Sequence, residues 1–217
     1  LPGGSAAALW RFVQMTPRDA PNADIFISKF GALRPFYRSR EVIERVAYET
    51  VLDAAADNIV YLELHFTPVA LAAQMGFPLT DVAGWVLGAV ERASRETGVQ
   101  VRGIVSMNRH EPVELGEQQV EVAIAHMDRG VVGVDLAGSE NAYPGAPFAR
   151  AFRRAREAGL GVTVHAGEWA GPASVVEAVE VLGAARLGHG VRVLEGARAL
   201  ALAQERGIVF EVCPTSN

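Results

Sequence analysis

The stretch "GVTVHAGEWAG", Gly161–Gly171, ends an apolar run on His165 and sets Glu168 three residues further on, across a glycine. The run has the continuous apolarity of a strand buried on both faces. The imidazole therefore stands where a buried strand stops, and the carboxylate stands in the turn after it. Two explanations compete: chemistry at the mouth of a barrel, or coincidence at a turn. The rest of the chain decides between them.

Five more segments repeat the strand pattern: "IVYLELHF" (59–66), "VQVRGIVSM" (99–107), "VVGVDLAG" (131–138), "ARLGHG" (185–190) and "IVFEVCP" (208–214). Between them lie amphipathic helices with readable ends. "SREVIERVAYETVLDAAADN" puts Val42, Ile43, Val46, Ala47, Val51 and Ala54 on one face at helical spacing. "LTDVAGWVLGAVERASRETG" predicts a helix capped by Thr80 and stopped by Gly98. Later helices stop at Gly130, Gly159, Gly183 and Gly207, and Ser174 with Glu177 has the S-x-x-E form of a capping box. Strand and helix alternate at the period of a βα unit. No glycine-rich phosphate loop follows the first strand, where "LHFTP" stands instead, which counts against an open dinucleotide-binding sheet. The pattern predicts an α/β fold of the (β/α)8 TIM-barrel type with six of its strands in this sequence. No charge block or shift in composition marks a linker, so residues 1–217 read as one incomplete barrel domain.

Composition narrows the function. The 217 residues are half apolar, with a net charge of -5. That balance argues against a nucleic-acid binder and gives no sign of a membrane-surface protein. A single cysteine, Cys213, excludes an internal disulfide and a multi-cysteine zinc site, which makes a reducing, cytoplasmic setting the expectation. No apolar run approaches the roughly 20 residues of a membrane span. The opening "LPGGSAAALWRF" lacks the charged start of a signal peptide and an initiator methionine, so the chain reads as processed, trimmed or part of something longer.

In a parallel barrel, chemistry gathers at the carboxyl ends of the strands. Those ends carry His65, Asn108 with His110, Asp135 with Gly138, His165 with Glu168, His189, and the "CPTSN" turn. Four of the five histidines lie there, and only His126 falls inside a predicted helix. Imidazole is a good zinc ligand, and a strand end fixes its direction. Glu168 can swing toward the same pocket as a proton donor tuned by burial. The glycines around His189 either serve a tight turn or let the backbone pass close to a ligand. Asp135 reads as a buried carboxylate bonded to neighbouring backbone, and Cys213 as a packed thiol. His110 belongs to a solvated loop, and "RAFRRAR" (150–156) is a wet helix face.

Taken together, "VVGVDLAGSE", "TVHAGE", "RLGHG" and "FEVCPTSN" resemble, in order and approximate spacing, the adenosine deaminase family of zinc hydrolases. "YLELHFTP" and the upstream "SKFGALRPFYRSREVIERVAYE" are similar to the same family, and the likeness runs from about Asn22 to Asn217. The resemblance implies a barrel that hydrolyses the 6-amino group of a purine nucleoside, adenosine or 2'-deoxyadenosine, with Zn2+ as cofactor. It implies that His165 is a zinc ligand and that Glu168 protonates purine N1. It also implies that His189 positions and deprotonates the attacking water, and that the Gly138 N–H faces purine N3. The partner implied is a small-molecule nucleoside, with no nucleic acid or membrane.

The sequence departs from the family pattern in places. His65 stands where the family usually has Arg, and Ser139 where it usually has Asp. The family's H-x-H zinc pair and its C-terminal Asp pair are not in this sequence. The six strands match family strands two to seven, so an internal fragment holding one of four zinc ligands is the expectation. Related substrates, adenine and 6-aminodeoxyfutalosine, remain alternatives, as does a catalytically dead barrel used as a binding module.

Overall fold

A computed structural model describes residues 6–214. Six strands alternate with helices: α1 (Ala6–Val13), α2 (Ala23–Gly31), α3 (Arg40–Ala56), β1 (Tyr61–Phe66), α4 (Pro68–Ala72), α5 (Leu79–Thr97), β2 (Gln100–Asn108), α6 (Val113–Ala125), β3 (Val131–Ala137), α7 (Ala149–Glu157), β4 (Gly161–Ala166), α8 (Pro172–Glu180), β5 (Arg186–His189), α9 (Ala197–Glu205) and β6 (Val209–Glu211). All neighbouring strands are parallel, and the order in the sheet is the order in the chain. A doubly wound sheet reverses its strand order at a switch point. This sheet never reverses, so it curls in one direction as a barrel wall does. The curl carries β1 toward β6 and β5: His65 Nε2 lies 3.9 Å from Glu211 Oε2, and Arg186 pairs with Glu63.

The core lies between the sheet and its helices. Val82, Ala83, Val86, Leu87, Ala89, Val90 and Ala93 bury one face of α5, and Val105, Met107, Leu136, Val164 and Leu187 close the sheet side. The sheet ends are wetter, with Tyr61 on β1 and Val209 on β6 more than half exposed, because neither outer strand has a second neighbour among the described residues. No helix among those residues is long and apolar enough to cross a membrane.

Several local expectations are corrected. On α3, Ile43, Ala47, Val51 and Ala54 are buried but Val46 is exposed, because it lies a quarter-turn off that stripe. The cap of α5 is Pro78, with Thr80 inside the first turn and Gly98 in the left-handed conformation at the other end. Helix α8 begins at Pro172, too early for a capping box. Ser174 and Glu177 instead bond to other loops: Ser174 to Glu140, and Glu177 to the backbone N–H groups of Gly145 and Ala146. Strand β6 ends at Glu211, leaving Cys213 beyond it and partly exposed. The arginine-rich α7 is a wet face as expected, with Arg150 and Arg154 paired to Glu117 and Glu121 of α6. Thr215, Ser216 and Asn217 of the "CPTSN" turn lie outside the described residues.

Candidate active site

The carboxyl end of β4 is the centre of the site. Strand geometry sends His165 to the concave face, and Gly188 opposite it on β5 makes room. A Cβ at Gly188 would stand 3.2 Å from His165 Cγ, tighter than ordinary contact. The glycine before His189 thus serves the His165 ring. Gly190, after it, is left-handed at φ 66°, and a Cβ there would press into the Phe210 ring at 2.4 Å. His189 itself is left-handed, at φ 68°. A non-glycine residue in that region stores strain of about 1–3 kcal/mol, a feature that clusters at functional sites.

Asp135, from β3, is fully buried below the mouth. The expectation of backbone partners fails, since its carboxylate is held by side chains. Oδ1 lies 2.9 Å from His165 Nδ1, and Oδ2 accepts from Ser106 Oγ at 2.9 Å. His65 Nδ1 approaches Oδ2 at 3.4 Å. A carboxylate only accepts, so the proton on this side of His165 sits on Nδ1 and Nε2 faces outward. Burial works against charge on His165, but Asp135, with Glu211 and Glu168 further off, outweighs it and raises the imidazole to about 9. Burial also opposes ionisation of Asp135, yet His165 holds that carboxyl below the usual carboxylate range.

Glu168 and His189 meet across the same mouth, with His189 Nε2 3.5 Å from Glu168 Oε2 and both side chains nearly nine-tenths covered. The His165 and His189 rings lie 5.3 Å apart between centroids. Burial raises the Glu168 carboxyl above its ordinary value, against the pull of the two histidines. Gly138, at φ 102°, turns the chain beyond β3 and lies close to Arg109 and His110. His165, Glu168, His189 and Gly138 therefore all stand at strand ends on one side of the sheet. His110 is exposed, in a loop beside Tyr143.

Two contributors escaped the sequence reading. Buried Arg109 donates to the His165 carbonyl at 2.6 Å, and buried Glu140 accepts from the turn that carries Glu168. The Arg follows Asn108 at a strand end and the Glu follows Ser139. Nothing in the local pattern distinguishes either from a solvated loop residue.

Metal binding is tested by the donor set. His165 offers one directed nitrogen with an anionic partner behind it, the arrangement that orients metal-binding imidazoles. Among the described residues, however, no three His, Cys, Asp or Glu side chains come together as a group that could hold a metal ion. These residues alone do not make a zinc site.

The chain resembles known proteins along its whole length. The family described as "Adenosine deaminase" matches residues 1–217. An adenosine deaminase of Serratia proteamaculans is 40% identical over all 217 residues, and one of Yersinia pseudotuberculosis is 37% identical. The chain spans 65% and 64% of their respective lengths. Among solved structures, an amidohydrolase from Burkholderia ambifaria with bound Zn superposes on 98% of the chain and 58% of its own, with TM-score 0.86 and 28% identity. The adenine deaminase of Arthrobacter aurescens covers the whole chain and 64% of its own, at TM-score 0.87 and 23% identity, and so attests the fold.

Proposed function

The chain belongs to the adenosine deaminase family, and from that premise we propose that the protein hydrolyses adenosine or 2'-deoxyadenosine to inosine or 2'-deoxyinosine and ammonia. The observation that carries the reading is the pairing of Glu168, its carboxyl raised by burial, with His189 at 3.5 Å beside the outward-facing His165. A carboxyl kept protonated can give its proton to purine N1, which draws electron density from C6. Water then adds at C6 as His189 takes one of its protons. His189 returns that proton to the amino group, the C6–N bond breaks as ammonia leaves, and the remaining hydroxyl proton passes to the Glu168 carboxylate as the C6 carbonyl forms. The Gly138 N–H faces purine N3. His165 would be one ligand for Zn2+, which would make the attacking water more acidic, and the further ligands would come from beyond the described residues.

In this reading the 217 residues are one incomplete barrel domain of a longer enzyme that acts on a small-molecule nucleoside in the cytoplasm, and alone they lack most of the zinc ligands. The intact His165, Glu168 and His189 disfavour a dead binding module, because a degenerate copy would have little reason to keep them. The test is ammonia release from adenosine, adenine and 6-aminodeoxyfutalosine by the full-length protein and its Glu168→Gln variant, with zinc content measured on both. Fastest turnover of adenosine, lost in the variant, supports the proposal. Preference for another aminopurine reassigns the substrate. No release of ammonia from any of the three by the full-length protein, with its zinc site complete, overturns the deaminase reading.

A further inference from the structure

Glu140 is a buried carboxylate with an unusual set of partners. Its Oε2 accepts from the Gly167 N–H at 2.7 Å and from the Ser174 hydroxyl at 2.5 Å. Its Oε1 accepts from the N–H groups of Glu168 at 3.0 Å and Trp169 at 3.2 Å. Three consecutive backbone donors of the turn after β4, and one hydroxyl from α8, therefore converge on one anion. Consecutive N–H groups curled in this way form a concave anion site, and here a side chain of the same molecule fills it.

The turn is gripped from other sides too. Arg109 takes the His165 carbonyl at 2.6 Å, and Arg192 takes the Trp169 carbonyl at 2.8 Å. Gly167 is left-handed at φ 69°, and a Cβ there would stand 2.7 Å from Val175. The backbone of residues 165–169 is thus fixed at both carbonyl ends and at three N–H groups between them. Glu140 is the one group that binds the N–H of Glu168 itself.

We propose that Glu140 is a positioning residue for the deaminase reaction: by binding the Gly167, Glu168 and Trp169 N–H groups it aims the Glu168 carboxyl at the substrate ring. This rests on the reading of Glu168 as the proton donor. The interaction is with main chain, so it sets where Glu168 starts from and leaves the carboxyl free to meet the ring. A misplacement of about 1 Å in such a group costs on the order of 10²-fold in rate. The loss falls on kcat, because the proton moves to N1 as the transition state forms.

Substitutions separate positioning from folding. Glu140→Ala removes all four bonds. Glu140→Gln keeps an acceptor for Glu168 and Trp169, and its amide can donate to the Ser174 hydroxyl, so only the Gly167 N–H loses its partner. Glu177→Gln is the structural control, because Glu177 binds two loop N–H groups, those of Gly145 and Ala146, away from the 167–169 turn. The experiment measures kcat and KM on adenosine for the protein and the three variants. It also measures hydrogen exchange at the amides of residues 167–169, which needs no turnover.

Expected are a fall of about 10²-fold in kcat for Glu140→Ala with KM changed less than about two-fold, and recovery of most of that loss in Glu140→Gln. The turn amides should exchange faster in Glu140→Ala, and Glu177→Gln should keep the kcat of the parent. A parent-like kcat in Glu140→Ala overturns the proposal, as does a fall in Glu140→Gln equal to that in Glu140→Ala, or an equal fall in Glu177→Gln. Should the full-length parent protein, with its zinc site complete, deaminate nothing, the deaminase reading fails by itself. Amide exchange then still reports whether Glu140 holds the turn: unchanged exchange in Glu140→Ala overturns the clamp, and faster exchange supports it.

Discussion

Asp135 Oδ1 stands 2.9 Å from His165 Nδ1 at the floor of the strand-end mouth, with Asp135 fully buried and His165 open to the mouth. The pair gives the imidazole one orientation and keeps a proton on Nδ1. Ser106 completes the hold on the carboxylate, so three adjacent strands, β2, β3 and β4, build the floor together.

Replacing Asp135 by Asn keeps the shape and removes the charge. The His165 Nδ1 proton loses its anionic partner, so the raised imidazole pKa falls and the ring is held by a weaker, neutral bond. Deamination by Asp135→Asn is expected to fall about 10- to 100-fold, the usual cost of losing such an orienting partner. Stability is expected to fall by about 1–3 kcal/mol. Steady-state kinetics with adenosine and urea unfolding check both. A variant with full activity removes Asp135 from the account of the site.

Gly188 and Gly190 flank His189 but answer to different neighbours. Gly188→Ala puts a methyl 3.2 Å from His165 Cγ. Its expected effect is a displaced ring, about tenfold lower activity and a stability loss of about 1–3 kcal/mol from overpacking. Gly190→Ala adds a left-handed backbone penalty to a 2.4 Å clash with Phe210, so its unfolding midpoint is expected to fall further. Equal midpoints for the two variants would contradict this ordering.

Gln119 on α6 is fully buried, and both polar atoms of its side chain lack a hydrogen-bond partner. A buried unsatisfied amide costs about 1–3 kcal/mol. Gln119→Met is close in volume and carries no such penalty, so it is expected to stabilise the protein by about that amount. Thermal unfolding measures it, and a lower melting temperature in the variant would show that the amide is satisfied in solution.

The parallel strands and their helices were legible because each carries its own period and its own glycine stop, as with Gly98 after α5. The strand-end placement of His165, Glu168 and His189 was legible because each closes a strand or lies in the turn after it. What stayed hidden depends on contacts between distant segments. Ser174 and Glu177 fit a local capping pattern, yet their side chains bind partners some thirty residues away, and no local rule shows that competition. Asp135 was assigned to backbone because its partners, Ser106 and His165, lie 29 and 30 residues off. Val46 illustrates the limit of periodicity, since an apolar residue at the margin of a helical stripe is buried only where something stands opposite it.

The acid role proposed for Glu168 has a pH signature. Burial raises its folded pKa above the usual carboxylate value near 4.5, against the pull of His189 and His165. For a raised carboxyl, the favourable neutral form is fully present below the unfolded pKa and is lost as pH rises through the folded one. Deamination should follow the same form, falling as pH rises through the raised Glu168 pKa. The protonated acid also stabilises the fold on the low-pH side of that window. Glu168→Gln is neutral at every pH but has no proton to give. It is expected to lose about 10²- to 10⁴-fold in kcat while removing that carboxyl's share of the pH dependence of stability. A pH-rate profile with urea unfolding at several pH values checks both halves. An activity limb that survives unchanged in residual Glu168→Gln turnover would assign the titration to another group, and the proton donor with it.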